Sequence, residues 1–483
     1  MTPVQIEALT PLIILSASVV LIMLVIAFHR NHLLTLILTL TGLALSFVSI
    51  PLLAHALPQQ VTSLLIIDRY SAFFIGLIIL SSFAVALLGF DYFDKHSSTP
   101  EEFYIILLLA TLGSCVLAAS SHFVSFFVGL EVLSVSLYSM IAYVRPAERS
   151  VEAGIKYLVL AAVSAAFLLF GMALIYAQTG TMELARLSLL QAFSGRAGDL
   201  MLTAGYGMII VGIGFKLALV PFHLWTPDIY EGAPAPVAGF VATVSKGAMF
   251  ALLLRYFSGV AYHLSGGLVL IFTILAVASI LAGNILGLLQ NNVKRLLAYS
   301  SIAHLGYLLV AFLASGLLVP SAVAFYLVAY FATTIGSFGI VTVLSTGDHE
   351  TGDIEEFRGM FWRHPWLTAF FTIMLFSLAG IPLTAGFIGK FYVVLAGVGS
   401  SLWFPVLILV IGSAIGLFYY LRVVVVMFSP RQSDPEETQL VPRISVTGGT
   451  VLVLITALIL WLGVYPGEVI NLLTTTVGKL LLR

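Results

Sequence analysis

Charge is what this sequence has least of. Only 9% of its 483 residues are Asp, Glu, Lys or Arg, while 60% are hydrophobic. The mean hydropathy is +1.11. A soluble globular chain carries about 25% charged and about 45–50% apolar residues. No soluble fold of this length hides so much apolar surface, so a bilayer must serve as solvent. The formal net charge of −1 leaves no basic face for phosphates and excludes a nucleic-acid partner. Cysteine is almost missing. Cys115 alone forms neither an internal disulfide nor a cysteine-held cluster, and it reads as a small core residue. A Walker loop and a glycine fingerprint after a strand are both lacking, so no cofactor or metal is expected on this chain. Asp348-His349-Glu350 offers too few ligands for a metal site. The N-terminus shows neither a basic n-region nor a small-residue cleavage pattern, so the first apolar run is read as a retained membrane helix.

What the sequence does have is apolar runs of spanning length, which need about 20 residues each. They predict an all-α polytopic membrane protein of about fourteen transmembrane helices, from 9–28 to 446–472. The seventh is expected at 201–223, the eighth at 236–258 and the twelfth at 367–398. If the N-terminus lies outside, the inner loops hold eleven basic residues, Lys294 among them, and the outer ones six. The remaining four of the 21, Lys156, Lys216, Lys246 and Lys390, fall within spans. That bias places both termini on the periplasmic face. The longest connections are 178–200, 346–366 and 429–445. The first contains a stretch from Met182 to Phe193 that suits a short amphipathic interfacial helix.

Two spans are broken by proline. Lys216-Leu-Ala-Leu-Val-Pro221-Phe-His223 interrupts the seventh, and Leu378-Ala-Gly-Ile-Pro382-Leu-Thr-Ala-Gly386 interrupts the twelfth, ahead of Lys390. Proline removes an intrahelical hydrogen bond, and the freed groups need partners that only a polar or hydrated interior supplies. The breaks lie five spans apart. An odd number per unit forces the second copy upside down, giving two inverted five-helix repeats, each containing a broken helix. The expected division is 1–100 (three helices), 101–260 (first repeat), 261–430 (inverted repeat) and 431–483 (polar loop and last helix).

A charge at mid-membrane costs about 2.5–3.5 kcal/mol on insertion scales. Glu131, Lys216, Lys246 and Lys390 are therefore the expected proton path, with Glu131 and Lys216 able to neutralise each other. Lys156 is shallower and able to snorkel. His223, Ser245, Tyr299, His304, Tyr307, Tyr326 and Thr333 are expected to bridge by water, although packing explains any one histidine or tyrosine as well.

At Phe215-Lys216-Leu-Ala-Leu-Val-Pro221-Phe-His223-Leu-Trp-Thr-Pro-Asp228-Ile-Tyr-Glu-Gly-Ala-Pro-Ala-Pro236-Val the pattern becomes specific. Together with Asn292-Val-Lys-Arg-Leu-Leu-Ala-Tyr-Ser-Ser-Ile-Ala-His304-Leu-Gly-Tyr and the stretch around Lys390, it resembles the antiporter-like membrane subunits of bacterial respiratory NADH–quinone oxidoreductase (complex I), the N type most closely. The resemblance runs along essentially the whole chain. It implies Glu131 and Lys216 as a modulating pair, Lys246 in a hydrated central axis and Lys390 as the periplasmic exchange site. Lys156, His223 and His304 would support the relay. It also implies FMN, iron–sulfur clusters and quinone in other subunits, partners of the M type and the small K and J types, membrane lipids, and a bacterial inner membrane. A subunit of a cation/proton antiporter, a solitary solute transporter and a structural spacer are the competing readings.

Overall fold

The computed structural model describes residues 1–145, 147–187, 200–261, 266–316, 319–345, 350–430 and 445–477. Among the described residues the regular structure is helical apart from a two-stranded antiparallel hairpin, β1 (Gln59–Val61) and β2 (Leu65–Ile67). A short α1 (Pro3–Ala8) precedes α2 (Thr10–Phe28), α3 (His32–Leu52) and α4 (Arg69–His96). The first repeat follows as α5 (Glu101–Ala118), α6 (Phe123–Ile141), α7 (Glu148–Thr179), α8 (Leu200–Leu217), α9 (Trp225–Gly232), α10 (Ala235–Phe240) and α11 (Lys246–Ala261). A π-turn at Val241–Ser245 joins α10 and α11 into one span. The second repeat is α12 (Gly266–Leu288), α13 (Val293–Leu313), α14 (Val319–Leu344), a one-turn α15 (Met360–Arg363), α16 (Pro365–Ala379), α17 (Ala385–Gly399) and α18 (Trp403–Phe428). Then come α19 (Val446–Val464) and α20 (Gly467–Thr476).

Among the described residues, 13 helices are long and apolar enough to cross a membrane. The half-helices α16 and α17 together supply the fourteenth crossing, at the position expected for the twelfth. Two expected bounds are corrected. The seventh span stops at Leu217, six residues early, because the chain turns before Pro221. The last stops at Val464, where Tyr465-Pro466 ends the helix before α20 begins. The amphipathic stretch is helical over 184–187, and its second half, 188–193, lies outside the described residues, as do Asp348 and His349. Cys115 is buried, as a small core residue would be.

Burial grades from rim to centre. The span through α10 and α11 is wholly covered by neighbours, and α13 and α14 nearly so, while α2, α7, α12 and α18 keep broad apolar faces open to lipid or partners. Trp362, Trp366 and Trp403 stand exposed at span ends, the level where indole rings anchor in a bilayer.

The two repeats share a register. On the first helix pair, a Cβ on Gly113 would meet the Leu133 amide at 2.6 Å. On the equivalent pair in the second repeat, a Cβ on Gly283 would meet the Ala303 amide at 2.6 Å. Only glycine lets the two backbones approach so closely at these crossings. With Leu133 matched to Ala303, Glu131 falls opposite Ser301 and Ser134 opposite His304.

Candidate functional site

Both breaks are built the same way. In the first, Ala218 turns left-handed (φ 59°) and the Leu219 amide reaches back to the Gly214 carbonyl at 2.8 Å. In the second, Gly380 turns left-handed (φ 86°) and the Ile381 amide reaches back to Phe376 O at 2.9 Å. This capping loop satisfies carbonyls that a continuing helix would have paired. The remaining orphans find side chains. The Val220 amide donates to Ser279 Oγ at 2.9 Å, and the Gly386 amide donates to Ser377 Oγ at 3.0 Å.

Each break carries one buried lysine at the C-terminal end of its first half-helix, where the peptide dipoles present partial negative charge. Lys216 lies in the last turn of α8. Lys390 belongs to α17, but its ammonium reaches back and donates to Ala379 O at 2.9 Å, the last residue of α16. Lys216 thus precedes its proline and sends its ammonium to α6 and α7, whereas Lys390 follows its proline and reaches back to the end of α16.

Around each ammonium the partners are neutral. Lys216 Nζ donates to Tyr157 Oη at 2.9 Å and Ser134 Oγ at 3.1 Å. Lys246 follows directly on the π-turn, the kind of local widening that recurs at functional sites. Its Nζ donates to Ser301 Oγ at 2.7 Å and lies 5.3 Å from the Tyr230 ring and 5.9 Å from the Trp225 ring. Lys390 Nζ also donates to Ser413 Oγ at 2.8 Å and lies 5.2 Å from the Tyr307 ring. All three side chains are buried. Among the described residues none has a carboxylate within ion-pair distance.

Hydroxyls extend the row. Ser301 Oγ is 2.6 Å from Tyr330 Oη, and the Tyr330 ring lies 5.4 Å from the His304 ring, whose Nδ1 is 2.8 Å from Tyr326 Oη. Thr333 and Ser377 hydroxyls meet at 3.0 Å. His223 is buried with neither ring nitrogen bonded to protein, which is costly unless water reaches it.

Two expected members stand apart. Glu131 is half-buried and makes no ion pair with Lys216, because Ser134 and Tyr157 take the ammonium instead. Lys156 sits at the rim of a pocket near the ends of α7 and α9. There it pairs with Glu152 at 2.7 Å and Asp228 at 3.3 Å, beside Arg149, Glu231 and Arg295. Burial pushes the Asp228 carboxyl up, but hydrogen bonds from Arg295 and Lys156 outweigh it and hold it below the usual carboxylate range. Among the described residues no three His, Cys, Asp or Glu side chains stand together as a metal would require.

This arrangement of broken helices around buried lysines was compared with known proteins. Residues 120–416 match the model of the NADH:quinone oxidoreductase/Mrp antiporter membrane family. The chain belongs to that family. A relative from Nitrosospira multiformis, NADH-quinone oxidoreductase subunit N, is 51% identical over 99% of this chain and 97% of its own. A chain in the structure of respiratory complex I from Thermus thermophilus with bound aureothin superposes with a TM-score of 0.81 at 32% identity, covering 95% of this chain and 98% of that one. A chain of the Mrp complex from Dietzia shares the fold, with a TM-score of 0.86 at 18% identity, covering 100% and 98%.

In this member of the NADH:quinone oxidoreductase/Mrp family, the lysines are legible in the sequence and the groups that hold them are not. Ser134, Ser301 and Ser413 carried no distinguishing signal, since serine hydroxyls on membrane helices usually bond their own preceding turn, and Tyr157 and Tyr330 read as ordinary packing aromatics. Lys294, counted among the inner-loop cations, is buried and pairs with Glu350 at 2.5 Å. The chain after α14 folds back over the start of α13 and covers it, a tertiary event that local composition does not encode.

Proposed function

We propose that this chain is a proton-translocating membrane subunit of a respiratory NADH–quinone oxidoreductase, in which Lys216, Lys246 and Lys390 carry protons. The observation that carries the reading is their neutral company. A buried lysine kept for structure is paired with a carboxylate, as Lys294 is with Glu350. Held by hydroxyls, a carbonyl and ring faces, an ammonium has no counter-charge fixing its proton. Its protonation then responds to any charge that moves nearby. Ser301, Tyr330, His304 and Tyr326 supply hydroxyl and imidazole relays between Lys246 and Lys390, and water at His223 extends them. Glu131, half-exposed, modulates Lys216 through space, while Lys156 braces the rim of the first broken helix.

In this reading the chain is the non-redox part of a translocase. FMN, iron–sulfur clusters and quinone belong to other subunits, and the M-type and small K- and J-type membrane subunits and lipids are its neighbours. The excess of basic residues on inner loops supports a bacterial inner membrane with both termini periplasmic. With Lys294 moved to the interior, that excess is ten against six. Co-purification with flavin and iron–sulfur subunits separates this reading from a cation/proton antiporter. The direct test is Lys216→Ala in native membranes, with NADH-driven quinone reduction and proton pumping measured together and assembly checked on a native gel. Both rates are expected to fall by about tenfold or more, equivalent to about 1.4 kcal/mol on the barrier. Unchanged rates in an intact complex would make Lys216 a structural charge.

A further inference from the structure

The Lys294–Glu350 pair sits where four parts of the fold meet. Lys294, at the start of α13, is 2% exposed; its Nζ donates to Glu350 Oε2 at 2.5 Å and to Ala233 O at 2.7 Å. Glu350, from the segment after α14, accepts the Ala235 amide at 2.7 Å and the Tyr92 hydroxyl of α4 at 3.0 Å through Oε1. Ala233 and Ala235 flank Pro234, the joint between α9 and α10. The pair therefore grips the last free carbonyl of one half and the first free amide of the next, bonds that a proline joint leaves without helical partners.

Everything that surrounds Lys246 hangs from these gripped elements. Trp225 and Tyr230, whose rings flank the ammonium, are on α9. The π-turn and Lys246 continue from α10. Ser301 lies seven residues after Lys294 on α13, two turns along the same face and about 10 Å away. Tyr330, bonded to Ser301, is on α14, whose outgoing chain delivers Glu350.

We propose that the Lys294–Glu350 ion pair is a clamp that positions the Lys246 site and, through its charge balance, sets when Lys246 holds its proton. The inference rests on Lys246 being a proton carrier. Lys294 and Glu350 do not exchange the transported proton; they are positioning residues. The charged and titratable groups around the clamp are few. Glu350 faces Lys294 of α13 and Tyr92 of α4, with His96 stacked on Tyr92. Lys246 faces Tyr230 of α9 directly and Tyr330 of α14 across Ser301. Ser301, which holds the Lys246 ammonium, lies about 10 Å along α13 from Lys294, and over such a separation an unbalanced charge displaces a titration by about one pH unit.

The test uses the whole complex in inverted vesicles, with quinone reduction and pumping recorded against pH and normalised to assembled complex. Glu350→Gln leaves the Lys294 cation unbalanced and is expected to move the alkaline limb about one unit to lower pH. Lys294→Met leaves the carboxylate unbalanced and is expected to move the limb the other way. The double variant, which buries no lone charge, should return the limb towards the parent while leaving the coupled rate several-fold lower, since the joint has lost its grip. Glu350→Asp should rescue most of the rate. If single variants fail to assemble, the double variant decides: a parental rate overturns the clamp. Parental pH profiles in both single variants also overturn it, provided that Lys246→Ala abolishes pumping. If Lys246→Ala pumps normally, the carrier reading itself has failed.

Discussion

The two repeats solve one problem with different side chains. Both break a helix with a left-handed residue and a matched backward hydrogen bond, and both place a buried lysine beside the break. The first repeat then adds two more charges, Glu131 and Lys246. In the second, their places hold serines. Ser301 stands opposite Glu131 in the shared register, and Ser413 precedes Arg422 by the same nine residues that separate Lys246 from Arg255. Each serine has been turned to a lysine, Ser301 to Lys246 and Ser413 to Lys390. A duplicated frame thus keeps one lysine per break and exchanges the other charges for hydroxyls that hold a buried ammonium without a counter-charge.

The arginines show the inversion from another side. Arg255 grips Asp68 through both nitrogens, at 2.9 and 3.1 Å, whereas Arg422 donates to the carbonyls of Leu288 and Gln290. Removing the carboxylate should have the largest effect on stability. Asp68→Asn removes the carboxylate that two nitrogens of a buried guanidinium grip, an expected loss of about 3 kcal/mol. Burial pushes the Asp68 carboxyl up, but Arg255 and hydrogen bonds with Ser71 hold it below the ordinary value. Its contribution is therefore complete above the unfolded value of about 3.9 and is lost as pH falls through the lower native value. Heating the solubilised complex should show a lowered midpoint for the variant near pH 7 and convergence with the parent in strong acid. Arg422→Met should cost less, because it leaves only neutral carbonyls behind. Equal losses would dissolve the comparison.

The breaks themselves differ at the left-handed residue. Gly380→Ala puts a Cβ at φ 86° and 2.9 Å from Lys390 Cδ, and should cost about 1–2 kcal/mol in thermal stability together with a disturbed lysine. Ala218 already bears that strain at φ 59°, so Ala218→Gly should be neutral or slightly stabilising. A destabilised Ala218→Gly would mean that the methyl packs well enough to outweigh the strain.

The smallest effects belong to the hydroxyls. Ser301→Ala and Ser413→Ala each remove one hydrogen bond to an ammonium, worth about 1 kcal/mol, and should lower coupled activity by about fivefold. Ser301→Ala should be the more severe, since Ser301 also joins Tyr330, whereas Ser413 shares Lys390 with a backbone carbonyl.

Much of this frame is legible in the sequence itself. Pro221 and Pro382 marked both breaks, and lysines inside apolar runs announced themselves by their cost. The partners were not legible. Glu131 and Lys216 are opposite charges in the fifth and seventh spans, yet Ser134 and Tyr157 intercept the lysine, an outcome set by side-chain packing between helices. Lys294 looked like the loop cation next to Arg295 until Glu350 was brought over it from the far end of α14.

The most direct measurement compares Lys216→Ala with Lys390→Ala in native membranes, following quinone reduction and proton translocation together in complexes shown to be intact. If the row of lysines is one coupled proton path, both variants lose both activities to a similar degree. If either variant reduces quinone and pumps as the parent does, the row is not continuous and that lysine is not part of it.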